Sequence, residues 1–352
     1  MGRRGSMRLG IGGWLTLAVL LAMPACAQET TPGRDPVRVD TPADAVIQGA
    51  LKWLAQRQAP QGEWASSSME KEHPVAITAY ALMAFLAAGH LPGEGEYGRQ
   101  VSLATQYLLD KVSAEGHIGN KNSGQYMYSH GIACIALAEI YGQTRASSMR
   151  PKLEKAIRVI LAAQNKEGGW RYTPYARDAD ISVTVLQVVA IRSAKNAGLN
   201  IPQRTIDDAV KYVRSCYKAD KGGFAYQPGQ PAGYARTAAA IYSLQVCGFY
   251  DDPMVKKGVE YLLREFKEKG MEWWTYGNFY AAPALYMQGG EVWERYYDMV
   301  KRALLKRVVT RQDVSWWEGR LEGDREVGPI YVTAVNTMIL AMPYHYIPLY
   351  QR

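Results

Sequence analysis

Residues 164–198, QNKEGGWRYTPYARDADISVTVLQVVAIRSAKNAG, contain one complete structural repeat of this chain. A helical pattern ends near Gln164, a Gly-Gly-Trp turn follows, and a polar acidic linker leads into a second, apolar helical pattern. The same plan recurs about six times along the chain. The sequence therefore predicts a series of similar helical hairpins.

The turn has the pattern Q-x3-G-x-W in residues 164–170, QNKEGGW, and again in residues 58–64, QAPQGEW. A glutamine at a helix C-terminus reaches freed backbone carbonyls, the glycine permits a left-handed turn, and the tryptophan packs over both. Weaker copies, KGGFAY around Phe224 and RQDVSWW around Trp316, retain only part of the pattern. Such decay is typical of a structural repeat, so we expect the turn to hold helix ends together.

Glycines at the ends of the apolar helical patterns set the period. They are separated by 42–56 residues: Gly89, Gly142, Gly198, Gly248 and Gly290. Each interval holds an outer pattern such as LEKAIRVILAAQ and an inner pattern such as TAAAIYSLQVCG. The inner patterns are apolar nearly all round and are predicted to be buried on most faces, whereas the outer patterns are amphipathic.

Hairpins of this kind form either an open solenoid or a closed double ring. A period near fifty is long for a solenoid pair, and the final segment, AVNTMILAMPYHYIPLYQR, is apolar where a solenoid needs a polar cap. Period-two alternation is confined to short turns, which predicts almost no strand. The predicted fold is all-α, an α/α toroid of about six helical hairpins over residues 45–352.

In its Q-x3-G-x-W turns and its alternation of inner and outer helices, the sequence resembles the prenyltransferase and squalene oxidase repeat superfamily. This superfamily includes squalene–hopene cyclases and protein prenyltransferase β subunits. The resemblance covers roughly residues 45–345 and implies the toroid fold. The segments MYSHGIACIALAEIYG and WTYGNFYAAPALYMQGG are similar to a group of exported proteins with a single ring. For function, the resemblance implies a terpene cyclase/mutase-like isomerase.

In the squalene–hopene cyclases, a GGW turn is followed by an Asp-x-Asp-Asp motif whose middle aspartic acid protonates the substrate alkene. The matching residues here are Asp178, Ala179, Asp180 and Ile181. The resemblance therefore assigns catalysis to Asp180, with Asp178 beside it, and Ile181 replaces the third acid. Protonating an alkene requires an acid whose anion is stabilised by its neighbours, and the replacement removes one such neighbour.

Other features of the superfamily are missing from the sequence. Full cyclases enclose their substrate between two helical domains, whereas this chain has length for one. No Asp, Cys and His set matches the zinc site of the prenyltransferases, and no D-D-x-x-D segment is present. We therefore expect no metal and no cofactor.

The starts of the inner helices should converge on one end of the ring, which we call the mouth. The candidate residues there combine aromatic and polar groups: His73, Tyr126, Tyr128, His130, Asp178, Asp180, Tyr234, Arg236, Tyr276, Asn278, Tyr280, Tyr331 and Asn336. The chain has 24 Tyr against 5 Phe, which suits a ligand-binding pocket with apolar walls and placed hydroxyls. Arg177 and Arg236 are the expected charge partners of the two acids.

Structural roles compete with this interpretation. An aspartate before a helix is a good N-cap, so Asp178 and Asp180 also fit capping. A lone histidine at a helix start, such as His130, is commonly structural. Tyrosines also finish helix ends at the surface of a ring.

Residues 1–27 predict an export signal, because three arginines precede an apolar stretch that ends in Ala-Cys-Ala. Cleavage after Ala27 and lipidation at Cys26 both fit this end. Residues 28–44, with prolines among polar residues, predict a flexible linker. The protein is expected to be exported, either to the periplasm or out of the cell.

Removal of that segment lowers the formal net charge from +8 to +5. No run of Lys and Arg interleaved with aromatics is visible, so nucleic acid is not an expected partner, while contact with an anionic membrane surface stays open. No obligate partner is predicted. The single cysteines Cys134, Cys216 and Cys247 predict buried thiols, with a disulfide between the last two as the alternative.

Three functions remain open at this stage. The first is binding of an isoprenoid or other apolar small molecule in a deep, tyrosine-lined central cavity, with acid-catalysed cyclisation or isomerisation through Asp180. The second is a non-catalytic binding or scaffold ring for a cell-envelope component, with a filled centre and Asp180 bonded to its own backbone. The third is a polysaccharide lyase or hydrolase, with an open groove, opposed acids and aromatic platforms. Fold alone does not decide among them.

Overall fold

The computed structural model describes residues 37–319 and 327–350, which are mainly helical. The predicted export signal lies outside the described residues, as does the first part of the predicted linker. The helices are α1 (Thr41–Ala55), α2 (Ser68–Glu72), α3 (Pro74–Ala87), α4 (Gly98–Asp110), α5 (Tyr126–Thr144), α6 (Arg150–Ala163), α7 (Ile181–Asn196), α8 (Gln203–Ser215), α9 (Tyr234–Val246), α10 (Pro253–Glu265), α11 (Trp274–Gln288), α12 (Gly290–Leu305) and α13 (Pro329–Ala341). Two small antiparallel strand pairs are also present: β1 (Tyr217–Lys218) with β2 (Gly223–Phe224), and β3 (Val309–Arg311) with β4 (Val314–Trp316). Two short 3-10 helices, Met342–Tyr344 and Pro348–Tyr350, complete the described elements.

Six of these helices form a closed inner ring. In the order α3, α5, α7, α9, α11 and α13, each packs against the next, and α13 packs against α3. The outer helices α1, α4, α6, α8, α10 and α12 each pack against an inner helix. This arrangement confirms the predicted α/α toroid, and the described residues contain six helical hairpins.

The division into inner and outer helices follows from their sequences. In α3, PVAITAYALMAFLA, every residue after Pro74 is buried. The outer helix α8, QRTIDDAVKYVRS, buries only one face, and Asp207 and Lys211 on its other face are exposed. Burial of apolar side chains thus favours a two-layer ring over any arrangement that would expose the inner helices.

The Q-x3-G-x-W turn joins three elements of the ring. Nε2 of Gln164 donates to the carbonyl of Gly168 at 2.8 Å and to that of Thr205, in the first turn of α8, at 2.9 Å. Nε1 of Trp170 donates to the carbonyl of Ile160 at 2.8 Å. That carbonyl is one of the four that the end of α6 leaves without a helical partner. The turn therefore connects one hairpin to the next.

The first copy of the turn repeats this geometry. Nε2 of Gln58 donates to the carbonyls of Gly62 and Gln100, both at 2.9 Å. Nε1 of Trp64 donates to the carbonyl of Leu54 at 2.7 Å. The predicted function of the turn in holding helix ends therefore agrees with its observed bonds.

A second bond recurs at four of the turns. The backbone N–H at the tryptophan position donates to a threonine hydroxyl in the next inner helix in these pairs: Trp64 with Thr78, Trp170 with Thr184, Phe224 with Thr237, and Trp317 with Thr333. The sequence pattern centred the last copy on Trp316, one residue too early. Trp316 instead stacks on Trp53, with ring centroids 6.1 Å apart.

A buried carboxylate closes the ring. Oε1 of Glu70 accepts the backbone N–H groups of Ile330 at 2.8 Å and Tyr331 at 3.1 Å, at the start of α13. Oε2 accepts those of Ser66 at 3.0 Å and Ser67 at 2.9 Å. The first amides of a helix lack helical partners and favour negative charge, so Glu70 stabilises the junction between the first and last hairpins.

Some helix ends differ from the predicted ones. Helix α1 begins at Thr41, before the predicted start near Ala45, because Oδ1 of Asp40 caps it by accepting the N–H of Ala43 at 3.0 Å. Gly142 lies inside α5, and Arg145 adopts the left-handed conformation at its end. Over the described part of the chain, no helix has the length and apolarity required to cross a membrane.

Candidate functional site

The mouth of the ring holds a compact group of charged and aromatic side chains. It is built from the turn before α7, the linker into α7 and the linker into α9. We call this group the mouth cluster: Arg171, Tyr172, Asp178, Asp180 and Tyr226. Its two acids were predicted from the sequence, and its other three members were not.

Asp180 is fully buried and acts as the N-cap of α7. Its Oδ1 accepts the N–H of Val183 at 2.9 Å, whereas its Oδ2 has no hydrogen bond to the described residues. Burial raises the pKa of this carboxyl to about 6, opposed by the Val183 amide and by the charge of Arg171. Asp180 is therefore both a cap and a carboxyl that exchanges its proton close to neutral pH.

Arg171 is the charge partner of both acids. Its Nε lies 3.5 Å from Oδ2 of Asp180, and its Nη1 lies 3.3 Å from Oδ2 of the exposed Asp178. The sequence predicts Arg177 and Arg236 in this role, and the structure corrects both. Arg177 is exposed, and Nη1 of Arg236 donates to a backbone carbonyl at 3.1 Å. Arg171 directly follows the buried turn tryptophan, and this position brings its side chain into contact with both acids.

Tyr172 and Tyr226 hold Arg171 in place. The guanidinium carbon of Arg171 lies 4.9 Å from the Tyr172 ring centre and 5.6 Å from the Tyr226 ring centre, and the two hydroxyls are hydrogen-bonded. Both tyrosines lie two residues after the turn aromatic, in GGWRY and GGFAY. This shared spacing is the sequence signal that identifies them.

Tyr128 and Tyr276 face the mouth cluster from α5 and α11. The ring of Tyr128 lies 5.8 Å from that of Tyr172, and the hydroxyl of Tyr276 donates to the carbonyl of Ser182 at 3.3 Å. Burial, together with the charge of Asp180, raises the pKa of both hydroxyls. Both therefore remain neutral donors, and the structure brings these two predicted residues together with Asp180.

Below the mouth, aromatic rings occupy the ring axis. Tyr280 lies 5.0 Å from Tyr276 and 6.3 Å from Tyr242, and we call these three residues the axial column. Beside it, Tyr80 packs edge-on against Phe279, with ring centroids 5.3 Å apart. The filled axis differs from the deep cavity expected for an isoprenoid site and agrees, together with the bond from the Val183 amide to Asp180, with what a scaffold ring predicts.

His130 is placed in the ring wall. Its Nδ1 accepts the N–H of Ile118 at 3.2 Å, and its Nε2 lies 3.0 Å from the carbonyl of Ala156. The backbone donor assigns the proton to Nε2, and burial lowers the pKa of the imidazole to about 4. His130 takes the place that threonine has in the other turns. The hydroxyl of Tyr126 lies 2.9 Å from the same Nδ1, so both residues have structural partners.

Tyr234 and Asn278 also lie within the wall. Oδ1 of Asn278 accepts the hydroxyls of Tyr234 at 2.8 Å and Tyr296 at 2.9 Å, and its Nδ2 donates to the carbonyl of Trp274 at 2.8 Å. All of these groups are buried. The bonds hold α9, α11 and α12 together, so each polar atom of the Tyr234 and Asn278 side chains already has a structural partner.

The remaining predicted residues occupy separate places. His73 links α2 to α3, and its backbone N–H donates to the carbonyl of Glu70 at 3.1 Å. Tyr331 packs edge-on against Tyr80, with centroids 4.9 Å apart. Asn336 is fully buried in α13. None of these three residues belongs to the mouth cluster.

Neither metal ligation nor thiol chemistry is indicated for the residues that the structure describes. Within 37–319 and 327–350, no group of three or more His, Cys, Asp and Glu is placed to hold a metal ion. Cys134, Cys216 and Cys247 are free thiols, so the alternative disulfide is not formed. Burial raises the pKa of the Cys216 thiol to about 11, which keeps it unreactive at neutral pH.

Comparison with known proteins places this geometry in a family. Residues 41–275 match the model of the prenyltransferase alpha-alpha toroid domain. No curated protein sequence matches the chain. The chain is similar to the structure of cellobiose 2-epimerase from Bacillus thermoamylovorans, with 13% identity and a TM-score of 0.64 over 86% of this chain and 98% of that one.

Two further structures share the fold. One is a variant of the type II terpene cyclase MstE from Scytonema in complex with merosterolic acid A, with 15% identity and a TM-score of 0.57 over 86% of this chain and 97% of that one. The other is an inactive variant of the α-1,6-mannanase GH76A of Salegentibacter in complex with α-1,6-mannotriose, with 7% identity and a TM-score of 0.62 over 87% of this chain and 99% of that one. The same toroid fold is therefore shared with a terpene cyclase, a mannanase and an epimerase, and the fold alone does not choose among their functions.

Proposed function

The chain belongs to the prenyltransferase alpha-alpha toroid domain family, and we propose that it binds an apolar small molecule with an oxygen group, such as an isoprenoid alcohol, at the mouth. Asp180 exchanges a proton with that oxygen. The tyrosines around the mouth cluster hold the apolar body of the ligand. The family membership and a terpene cyclase among the structural neighbours support this ligand class.

One observation carries the proposal. Oδ2 of Asp180 is buried and has no hydrogen bond to the described residues, although buried polar atoms normally have a partner. It lies beside Arg171 and faces the aromatic side chains of the mouth. A ligand hydroxyl placed there supplies the missing hydrogen bond, and the apolar remainder of the ligand packs on tyrosine faces.

The acid strength of Asp180 indicates which chemistry fits. Burial raises its pKa to about 6, so it is a weaker acid than a free aspartic acid. Protonation of an alkene needs the opposite change. Proton transfer to a ligand oxygen suits a carboxyl with a pKa close to the working pH. The proton passes from Oδ2 to the ligand hydroxyl, the C–O bond breaks with release of water, and the resulting cation faces tyrosine rings. After isomerisation or cyclisation, the cation loses a proton to the Asp180 carboxylate, which restores the acid and leaves a neutral alkene.

A carbohydrate is the second candidate ligand. Asp178 is more than half exposed and Asp180 is buried, yet both contact Arg171, so the mouth holds two carboxyls in different environments. Such a difference separates an acid from a base in glycoside hydrolysis. A mannanase and an epimerase among the structural neighbours also share the fold.

The proposal places this ligand binding outside the cytoplasm, because residues 1–27 have the pattern of an export signal. Cell fractionation tests whether the protein resides in the periplasm or in the medium. The mass of its mature N-terminal peptide tests whether Cys26 has a lipid anchor. A mass that corresponds to a chain beginning at residue 28 supports simple cleavage. A mass that includes an acylated Cys26 supports a lipid anchor.

The experiment is a fluorescence titration of the chain with geraniol and, separately, with α-1,6-mannotriose, at pH 5 and at pH 8. A short isoprenoid alcohol is used because the axial column limits the depth of the mouth. We expect geraniol to bind at least tenfold more tightly at pH 5, where Asp180 holds its proton. The variant Asp180→Asn should lose this pH dependence, and the exposed Asp178→Asn should keep it.

The other outcomes distinguish the alternatives. Binding of mannotriose without geraniol would favour the carbohydrate function. Binding of neither ligand by a folded chain would overturn both and favour the scaffold function.

A further inference from the structure

The end of the ring opposite the mouth is covered by the last described residues of the chain. We call residues 345–350 the tail. They run over the ends of the inner helices, and the short 3-10 helix Pro348–Tyr350 contacts both α7 and α11. These two helices are not neighbours in the inner ring. The tail therefore crosses the opening rather than following one wall.

The tail inserts apolar side chains into this opening. Ile347, Leu349 and Tyr350 are all buried. The N–H of Leu349 points to Oε2 of the buried Glu139 at 3.4 Å, and the hydroxyl of Tyr350 lies 4.0 Å from the sulfur of Met338. A phenol and two aliphatic side chains thus occupy a space lined by the inner ring.

The tail is anchored at its start, where the hydroxyl of Tyr286 and Nδ1 of His345 are hydrogen-bonded, whereas the polar contacts of its last two residues are weak. The backbone bond to Glu139 is long, and the Tyr350 hydroxyl has only a weak acceptor. A void of about 10 Å³ lies between the tail and residues that include Ala87 and Ala341. His345, at the start of the tail, adopts the left-handed conformation with φ 63°, which marks a sharp change of chain direction there.

The opening also holds a polar group without a partner. Tyr242, at the lower end of the axial column, is 2% exposed, and its hydroxyl has no hydrogen bond to the described residues. A buried hydroxyl left without a partner is destabilising, because its hydration is lost and not replaced. The tail fills the apolar part of this space and leaves the hydroxyl unsatisfied.

We propose that the end of the ring opposite the mouth is a second binding site, for an apolar molecule with one hydroxyl group, which the tail occupies in the free protein. The ligand displaces the tail, packs where Leu349 and Tyr350 lie, and bonds to the Tyr242 hydroxyl. The site does not involve Asp180 and does not depend on the chemistry proposed for the mouth.

Hydrogen exchange of the full-length chain tests whether the tail opens. We expect the amides of Leu349 and Tyr350 to exchange at least tenfold faster than those in the middle of α5, because the tail opens locally. Saturating 2-naphthol, a small apolar phenol, should raise the tail rate several-fold further. Tail exchange as slow as that of α5, or unchanged by 2-naphthol, would overturn the proposal.

A full-length variant tests the site directly. Leu349→Ser combined with Tyr350→Ser releases the tail and should bind 2-naphthol at least tenfold more tightly than the unmodified chain. Naphthalene, which lacks the hydroxyl, should bind more weakly than 2-naphthol. A synthetic peptide of residues 345–352 should compete. The matched control Tyr346→Ser changes a half-exposed tail residue and should leave affinity unchanged.

A folded double variant that gains no affinity for 2-naphthol would contradict the second site. If the double variant does not fold, the exchange experiment on the unmodified chain decides the question alone.

Discussion

Nε of Arg171 lies 3.5 Å from Oδ2 of Asp180. This contact joins the residue after the buried turn tryptophan to the residue that caps the next inner helix. It therefore couples the repeat that builds the ring to the carboxyl that we place at the centre of ligand binding.

Asp180 has two roles, as the N-cap of α7 and as an acid, and substitutions can separate them. Asp180→Asn keeps an oxygen that accepts the N–H of Val183, whereas Asp180→Ala removes it. We expect Ala to lower the free energy of unfolding by about 1 kcal/mol more than Asn. Urea unfolding measures both, with the exposed Asp178→Ala as the control. Equal losses for Asn and Ala would show that the cap contributes nothing.

Arg171 lowers the pKa that burial raises at Asp180. Replacing it by Gln removes the nearby positive charge, so the Asp180 carboxyl should titrate above its value of about 6. Carbon-13 NMR of labelled aspartate side chains measures the change. Arg177→Gln, at an exposed arginine of the same linker, should leave the titration where it is. An unchanged Asp180 pKa in Arg171→Gln would show that the charge of Arg171 does not act on this carboxyl.

Glu139 gives the stability a pH dependence. Burial raises its pKa from about 4.5 to about 7, so the folded state binds its proton more tightly than the unfolded state. The associated stability is fully present below pH 4.5 and is lost as the pH rises through 7. The loss is of order 3 kcal/mol. Glu139→Gln should remove this fall, and parallel urea-unfolding profiles of the two proteins between pH 4.5 and 8 would disprove it.

Glu70 holds the closing junction of the ring. Glu70→Gln keeps one oxygen for the α13 amides but loses the oxygen that accepts from Ser66 and Ser67. We expect unfolding to become easier by about 2–4 kcal/mol, because buried amides lose a charged acceptor. Glu72→Gln, at an exposed position of the same short helix, should change stability little. A loss no larger than that of Glu72→Gln would mean that the ring closes without this carboxylate.

Gly168 allows the turn to approach the next outer helix. It has a φ of 92°, and a Cβ there would lie 2.3 Å from the carbonyl oxygen of Asp208. Gly229 has a similar φ of 86°, with open space around its Cβ direction. Gly168→Ala should therefore destabilise the protein by at least about 2 kcal/mol more than Gly229→Ala. Thermal unfolding compares the two variants. Equal losses of stability would show that the positive φ alone, and not the close approach to Asp208, makes alanine unfavourable at Gly168.

Much of the fold is predictable from the sequence because its causes are local. The glutamine, glycine and aromatic of each turn act within a few residues, and the inner and outer helices differ in their own polarity. The closing contact is different, because Glu70 and Ile330 are 260 residues apart. The apolar final segment predicted closure, but no local pattern identifies the residue that makes it.

The site is only partly predictable for a similar reason. Asp180 follows from the motif after the turn, and its burial follows from its position as a cap. Arg171, Tyr172 and Tyr226 become visible only when the turns are aligned on their aromatic residue. His130 is the reverse case, a structural residue that the sequence presents as a candidate site residue. It replaces a structural threonine, and a histidine at such a position resembles a functional one. Only the bonds of the folded chain separate these cases.

The most direct test of the central claim is native mass spectrometry, with organic extraction, of the exported protein purified without added ligand. The account predicts a bound apolar small molecule with an oxygen group, and a changed amount or structure of that molecule in Asp180→Asn. A folded protein that carries no such molecule, or carries the same one unchanged in Asp180→Asn, would contradict the assignment of Asp180 to the ligand.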